Sequence, residues 1–366
     1  MNTKNSNSRH CLVTGGAGFI GCAMSAELAN HFDRVVVLDN LHPQIHKSHH
    51  CPDALDRRCE LVIGDVTDVA AWDGLLTGFK PDVVVHLAAE TGTGQSLTES
   101  ARHALVNVVG TAQMLDALHR HGCEPRSIVL SSSRAVYGEG EWRRSDGTLI
   151  QPGQRTQQQL EAAQWNFPDA IPLAFAASST RTAPTSIYGG TKLAQEHLIS
   201  AWALAHQTVP RILRLQNVYG PGQSLSNPYT GIVSLFVRLA KQGVSIPLYE
   251  DGEMNRDFVF IDDVAAALLA AATNHDASTA ILDVGTGEAT SIRQVAEAIA
   301  ERYGAPAPHV CGKFRNGDVR HATCEISATK SALKWTPKVD WREGLARLCA
   351  WIDQEMDATS SGSQGQ

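Results

Sequence analysis

An α/β fold, in which a doubly wound parallel sheet is followed by a smaller second domain, is predicted by three features of this sequence. Short apolar runs alternate with helical segments through the first half of the chain. A glycine turn, Gly15-x-x-Gly18-x-x-Gly21, joins the first apolar run directly to the first helical segment. The second run, Arg34 to Leu38, ends in a carboxylate, Asp39, about 20 residues beyond that turn.

Taken in order, His10 to Thr14 reads as a buried strand, and the residues after Gly21, to about Asn30, read as a helix. Arg34 to Leu38 completes a βαβ unit, and Cys59 to Ile63 is a third strand. Asp68 caps a helix whose Val69, Trp72, Leu76 and Phe79 form one stripe. Val83 to Leu87 is a fourth strand, Leu97 to Gly122 a long helix, and Ser127 to Ser131 a fifth strand. From Gly138 to Thr185 the pattern gives way to polar, proline-containing sequence with a weak helical stretch near Thr156 to Gln164, which marks an insertion. Helix resumes at Ile187 to Ala205, and Arg211 to Leu215 is another strand.

Loops rich in Gly, Pro and Asn around Tyr219 to Tyr229, a helix near Gly231 to Gln242 and several short strands then suggest a second domain. The expected division is a first domain over 1–215, carrying the 138–185 insertion and completed by 257–285, and a second over 216–256 and 286–356. A helical portion from Ser291 places Ile292, Val295 and Ile299 on one face, and Asp357 to Gln366 reads as a disordered tail.

At 366 residues and 43% hydrophobic content the chain can bury a full core, and its length suits about two domains. A net charge of −7 with no long basic run argues against nucleic acid as a partner. No apolar stretch of about 18 residues occurs, and Met1 to Arg9 is polar, so no membrane association and a cytoplasmic location are expected. The eight cysteines contain no Cys-x-x-Cys pair and are scattered, as buried apolar residues in a reducing compartment would be. The run His42 to Cys51, with His46, His49 and His50, matches no standard zinc spacing, and no metal site is expected.

Glycines without side chains let the backbone approach a pyrophosphate, which a helix N-terminus favours electrostatically. Asp39 is placed to accept hydrogen bonds from an adenosine ribose and to repel a 2′-phosphate, so NAD is expected rather than NADP. Asp65, ending the third strand, can meet an adenine edge. Tyr188 and Lys192 stand four residues apart, on one face of a helix, where a cation can lower the phenol's pKa and make it a general base. Alone, such a pair also fits a packed tyrosine and a solvated lysine.

The motifs together resemble the extended short-chain dehydrogenase/reductases that act on nucleotide sugars. The likeness rests on Thr14-Gly15-Gly16-Ala17-Gly18-Phe19-Ile20-Gly21, His86-Leu87-Ala88-Ala89, Asn107, Ser131-Ser132-Ser133 before Val136-Tyr137-Gly138, and Tyr188 with Lys192. It implies a Rossmann-type NAD-binding domain, a smaller C-terminal substrate-binding domain and a homodimer built from the helices at Leu97 to Gly122 and Ile187 to Ala205. It also implies catalytic Ser133, Tyr188 and Lys192, with NAD held by the glycine motif, Asp39, Asn40, Asp65, Val66, Leu87, Ala88, Ala89, Asn107, Tyr188 and Lys192. On the substrate side it points to Thr91, Thr93, Ser133, Asn217, Arg256, Arg315 and Asp318, the arginines gripping a nucleotide diphosphate.

Dehydratases of this family carry an Asp-Glu pair immediately after the catalytic Thr; here those positions are Arg134 and Ala135. Elimination is therefore disfavoured, and transient oxidation at C4 followed by return of hydride to the opposite face, a 4-epimerisation, is expected. Asn40 to His46, Glu90 to Ser96 and the insertion are similar to those of bacterial dTDP-L-rhamnose 4-epimerases; a UDP-hexose 4-epimerase, or an NAD(P)-dependent reductase of a 4-keto sugar, uses the same residues. The insertion contains no cysteine and is expected either to cover the sugar site or to serve as a surface excursion used in assembly.

Overall fold

The computed structural model describes residues 9–46, 48–225, 231–276 and 280–362. Its main sheet contains β1 (His10–Thr14), β2 (Arg34–Asp39), β3 (Cys59–Ile63), β4 (Val83–His86), β5 (Ser127–Ser133), β6 (Val209–Leu215) and β7 (Ala280–Val284). All seven are parallel, in the order β7-β6-β5-β4-β1-β2-β3. Strands such as Val35-Val36-Val37 and Val83-Val84-Val85 are continuously apolar because both faces of a parallel sheet are covered. These six valines are at most 2% exposed.

The main helices are α1 (Phe19–His31), α2 (Val69–Thr77), α3 (Gly110–Arg120), α4 (Ile187–His206), α5 (Ile232–Lys241), α6 (Ile261–Thr273), α7 (Ile292–Tyr303) and α8 (Trp341–Gly362). Alternate residues of β2 sort to opposite faces: Val35 and Val37 join Met24 and Leu28 of α1 and Val264 and Leu268 of α6. Val36 and Leu38 join Trp72 of α2, Met114 and Leu118 of α3 and Ile199 of α4. Each such buried aliphatic side chain contributes about 1.5–3 kcal/mol. Trp72 also satisfies its indole N–H, donating to Val66 O at 2.8 Å. A separate core unites Val237 of α5, Val295 and Ile299 of α7, and Leu348 and Ile352 of α8.

Three elements differ from their sequence reading. The predicted helix from Leu97 is divided into Ser100–Ala104, a π-helical turn at Leu105–Val109 and α3. The wider turn accommodates a buried Asn107, a local feature that apolar periodicity does not encode. The chain re-enters the main sheet only at β7, while Phe258–Phe260 pairs with Asn217–Tyr219 in a small sheet of its own. Finally, the residues read as a disordered tail continue α8 as far as Gly362. Met356 packs against the second core and Asp353 accepts from Lys241 at 2.7 Å, so the preceding turns are fixed and elongation adds a hydrogen bond per residue despite the polar composition. Residues 363–366 lie outside the described part.

The insertion is built into the body of the molecule. Trp142–Arg144 pairs antiparallel with Leu149–Ile150 and with Ala170–Pro172. From it Arg155, buried at 2% exposure, donates to Glu139 at 3.1 Å, to Glu250 at 2.8 Å and to the Asp318 carbonyl at 2.9 Å. Arg320 reaches the same Glu250 at 3.2 Å and Asp251 at 2.7 Å. This buried charge network fastens the insertion to the body of the molecule.

Candidate active site

The order in which successive strands are laid down reverses about β1, whose neighbours are β2 on one side and β4 on the other. In an open parallel sheet such a switch point leaves a crevice beyond the strands' C-terminal ends. A cavity of about 1030 Å³ opens there. Gly15, with φ +66°, turns the chain out of β1, and a Cβ on it would stand 2.6 Å from Ala88 N, so only glycine lets β1 and β4 end so close together. Gly18 caps α1 without any side-chain bond to the first N–H groups, leaving them free for an anion.

Gly15, Gly18, Phe19 and Ile20 line one wall of this cavity, Asp39, Asn40 and Val66 its end, and Leu87, Ala88, Ala89 and Thr91 the opposite wall. Asp39 accepts from the Ala17 N–H at 3.0 Å and the Leu41 N–H at 2.9 Å, which fixes its carboxylate and leaves lone pairs for ribose hydroxyls. Asp65 holds Asn40 by a bond of 2.8 Å; against the upward push of burial, the Thr67 N–H and hydroxyl keep its carboxyl below the usual range. The shape, the free helix terminus and the fixed carboxylate fit a dinucleotide such as NAD.

Of the residues expected at the site, Gly21, Asp65, Thr93, Asn107, Ser133, Tyr188 and Lys192 are not among the lining residues, nor are Asn217, Arg256, Arg315 and Asp318. Asn107 is a brace: its Oδ1 accepts from the Glu90 N–H at 2.7 Å while its Nδ2 donates to Glu90 O at 3.0 Å and Thr191 Oγ1 at 2.9 Å. It thereby fastens the loop after β4 to α4. The cavity is further bounded by Pro221, Gly222, Gln223 and Arg102. Sequence reasoning missed these, although the Gly-Pro-Gly turn carrying the first two was a signal.

Ser133 ends β5 and caps the following 3-10 turn, its Oγ accepting from the Ala135 N–H at 3.2 Å. Ser186 caps α4 by accepting from the Gly189 N–H at 3.0 Å, which sets Tyr188 in the first turn. A Cβ on Gly189 would lie 2.4 Å from Ala135 O; the absent side chain allows α4 to approach the serine turn. Ser133 and Tyr188 thereby face each other where β5 ends and α4 begins. Burial pushes the Tyr188 phenol above its ordinary value, opposed by the Ser133 hydroxyl and by the Arg134 charge.

Lys192 lies one helical turn on, 2% exposed, with Nζ donating to Gln195 Oε1 at 2.7 Å. Burial pushes this ammonium down to about 7, with Glu196 opposing. Because a lysine only donates, it orients the Gln195 amide, whose Nε2 faces His86 Nε2 at 3.1 Å and donates to Thr111 Oγ1 at 2.8 Å. Burial and the Lys192 charge push His86 down to about 3, so the ring is neutral at pH 7, with Nδ1 2.6 Å from Thr14 Oγ1 and Nε2 2.9 Å from Thr111 Oγ1. A buried polar chain thus runs from Lys192 to β1. Gln195 is a link that the sequence reading did not contain.

On the far side of Tyr188, Arg134 donates from Nε to Asn217 Oδ1 at 2.8 Å. Burial and the neighbouring Arg256 push its guanidinium down to about 9, against Asp318, Tyr188 and Glu139. Arg256 donates to its neighbour's carbonyl, Asn255 O, at 2.7 Å, and burial lowers its pKa too. Two arginines of like charge, Arg256 buried and Arg134 half-buried against Asn217, make a setting that an anion would stabilise. Arg315 stands apart from them, exposed and stacked 5.2 Å from the Tyr249 ring. Arg134 was read from sequence only as a missing acid.

A sequence profile of the NAD dependent epimerase/dehydratase family matches residues 11–285. The chain is 57% identical over 351 residues to a dTDP-L-rhamnose 4-epimerase of Burkholderia thailandensis, covering 96% of this chain and 97% of that one. A crystal structure of UDP-glucose 4-epimerase from Thermotoga maritima with UDP-glucose is similar at a TM-score of 0.77 and 27% identity, covering 95% of this chain and 99% of that one. The Thermus thermophilus UDP-glucose 4-epimerase in complex with NAD gives 0.73 and 28%, covering 94% and 99%. A matching profile over residues 11–285, and a relative alike from end to end, agree with the dinucleotide-shaped cavity: the chain belongs to the NAD dependent epimerase/dehydratase family.

Proposed function

We propose that this chain is a nucleotide-sugar 4-epimerase that interconverts dTDP-L-rhamnose and dTDP-6-deoxy-L-talose. The observation that carries the reading is the pairing of Ser133, at the end of β5, with Tyr188, in the first turn of α4, where Arg134 and Ala135 follow in the places an eliminating enzyme needs acids. The substrate assignment draws on the Burkholderia thailandensis relative. NAD, held by the glycine turn, Asp39 and Leu87 to Ala89, supplies reversible acceptance of hydride at the sugar carbon. Tyr188 takes the proton of the C4 hydroxyl and later returns it, Ser133 orients that hydroxyl, and Lys192 stabilises the phenolate electrostatically once its ammonium is charged. Between the two proton transfers the 4-keto sugar turns about its diphosphate linkage, which Arg134, Arg256 and Asn217 retain. Thr91 and Thr93 flank the sugar, and Asp318 with Arg315 meets the nucleoside end.

The first domain, 1–215 with 257–285, holds the cofactor, and 216–256 with 286–356 closes over the nucleotide. Exposed Leu105, Val109, Ile187 and Leu204 on the helices around α3 and α4 support a homodimer formed through them. Eight free cysteines fit a reducing cytoplasm, and no helix among the described residues is long and apolar enough to cross a membrane.

The test is incubation with dTDP-L-rhamnose and with a panel of dTDP- and UDP-hexoses, resolving C4 epimers by NMR. Talose formation without net consumption of added NADH is the expected result. Turnover of UDP-glucose alone would reassign the substrate, and stoichiometric NADH oxidation would make the enzyme a 4-keto-sugar reductase.

A further inference from the structure

At the opposite end of the strands from the crevice, three potential ligands converge from three separate elements. His119 lies in the last turn of α3, Glu124 in the turn leading into β5, and His206 is the final residue of α4. His119 Nδ1 is 3.3 Å from Glu124 Oε1, and His206 Nδ1 is 3.7 Å from the same oxygen. One donor atom from each lies within 4.8 Å of the others.

These separations have a chemical reading. Imidazole and carboxylate donors bind zinc at about 2.0–2.2 Å in tetrahedral geometry, which sets neighbouring donors about 3.3–3.6 Å apart. The two edges through Glu124 match that spacing closely, and the third closes by a small turn of the exposed His119 ring. The His206 ring is held by stacking on Trp202, with centroids 4.1 Å apart and planes at 19°, while His119 meets it edge-on at 4.9 Å. Side-chain exposures of 67% for His119, 32% for Glu124 and 20% for His206 leave a fourth position for water.

We propose that His119, Glu124 and His206 form a binding site for a divalent transition-metal ion of the zinc type. The ion would tie the ends of α3 and α4 to the start of β5. Ser133 stands at the other end of that seven-residue strand, about 20 Å away, so the ion is a brace and takes no part in turnover.

The experiment uses the full-length, tag-free chain, stripped by chelator and titrated with Co2+ and then Zn2+. One Co2+ per chain with the intense visible bands of tetrahedral coordination, displaced by Zn2+, and a Zn2+-dependent rise in Tm are expected. His119→Ala and His206→Ala should each weaken Co2+ binding at least about tenfold while NAD binding and circular dichroism stay unchanged. Absence of stoichiometric binding to the parent chain overturns the proposal. So does binding that survives both substitutions but is lost in a His46→Ala/Cys51→Ser variant, which would place the ion in the loop after β2.

Discussion

Lys192 Nζ lies 2.7 Å from Gln195 Oε1, on its own helix, and burial draws its pKa down to about 7. The sign for stability follows from proton counting. Unfolded, the lysine titrates near 10.4, so between about pH 7 and 10 the unfolded chain binds the additional proton and stability rises with pH. Below about 7 both states are protonated and the burial cost of the ammonium is carried in full. Lys192→Met, which removes the charge and keeps the stem, should stabilise the NAD-free protein by a few kcal/mol at pH 6, and the gain should shrink toward pH 10. Urea unfolding at several pH values measures it; equal gains at every pH would contradict the assignment.

Tyr188 carries the proton in the proposed chemistry, so Tyr188→Phe should fold, keep NAD and lose about 10²–10⁴-fold in kcat. The ring stays and only the hydroxyl that faces Ser133 is removed. Thermal melting with and without NAD separates loss of chemistry from loss of structure. Substantial residual turnover would remove Tyr188 from the role of base.

Much of this site was legible because its parts are local. A glycine turn between a strand and a helix, a carboxylate at a strand end and a tyrosine four residues before a lysine are all contiguous patterns, and their places in the fold follow from strand order. The continuous apolar runs likewise signalled strands buried on both faces. What escaped was set by distant pairing. Arg134 meets Asn217 across 83 positions, and His206 meets Glu124 from another element altogether. The π-turn at Leu105–Val109 was hidden because a single widened turn leaves the apolar period nearly intact. The end of α8 was misread from its composition, which says nothing of the packed turns before it.

Arg134 affects Tyr188 in one direction: its positive charge favours the phenolate. Arg134→Met should raise the apparent pKa of the acidic limb of the kcat profile by about one pH unit, the effect of one nearby charge in a partly screened site. The same change releases Asn217 and removes a cation from the anion pocket, so KM for the nucleotide sugar should rise about tenfold or more. A variant whose KM rises while the limb stays fixed would confine Arg134 to substrate binding.

Arg155 joins the insertion to the substrate side of the molecule. Its guanidinium is the partner of both Glu139 and Glu250, all three nearly inaccessible to water. Replacing it by Met keeps the apolar volume but leaves two buried carboxylates, with only Arg320 remaining to Glu250. Loss of one member of a buried charge network costs about 3–5 kcal/mol, a large share of the stability of an ordinary domain. The same arginine holds the Asp318 carbonyl at 2.9 Å, so its loss also loosens the loop proposed to meet the nucleoside. Arg155→Met should therefore lower the urea midpoint markedly and, in the fraction that stays folded, raise KM with little change in kcat. An Arg155→Met/Glu139→Gln/Glu250→Gln variant should recover much of the lost stability by removing the orphaned charges. Failure of that recovery would show that packing of the insertion, and not its charge network, holds this part of the fold.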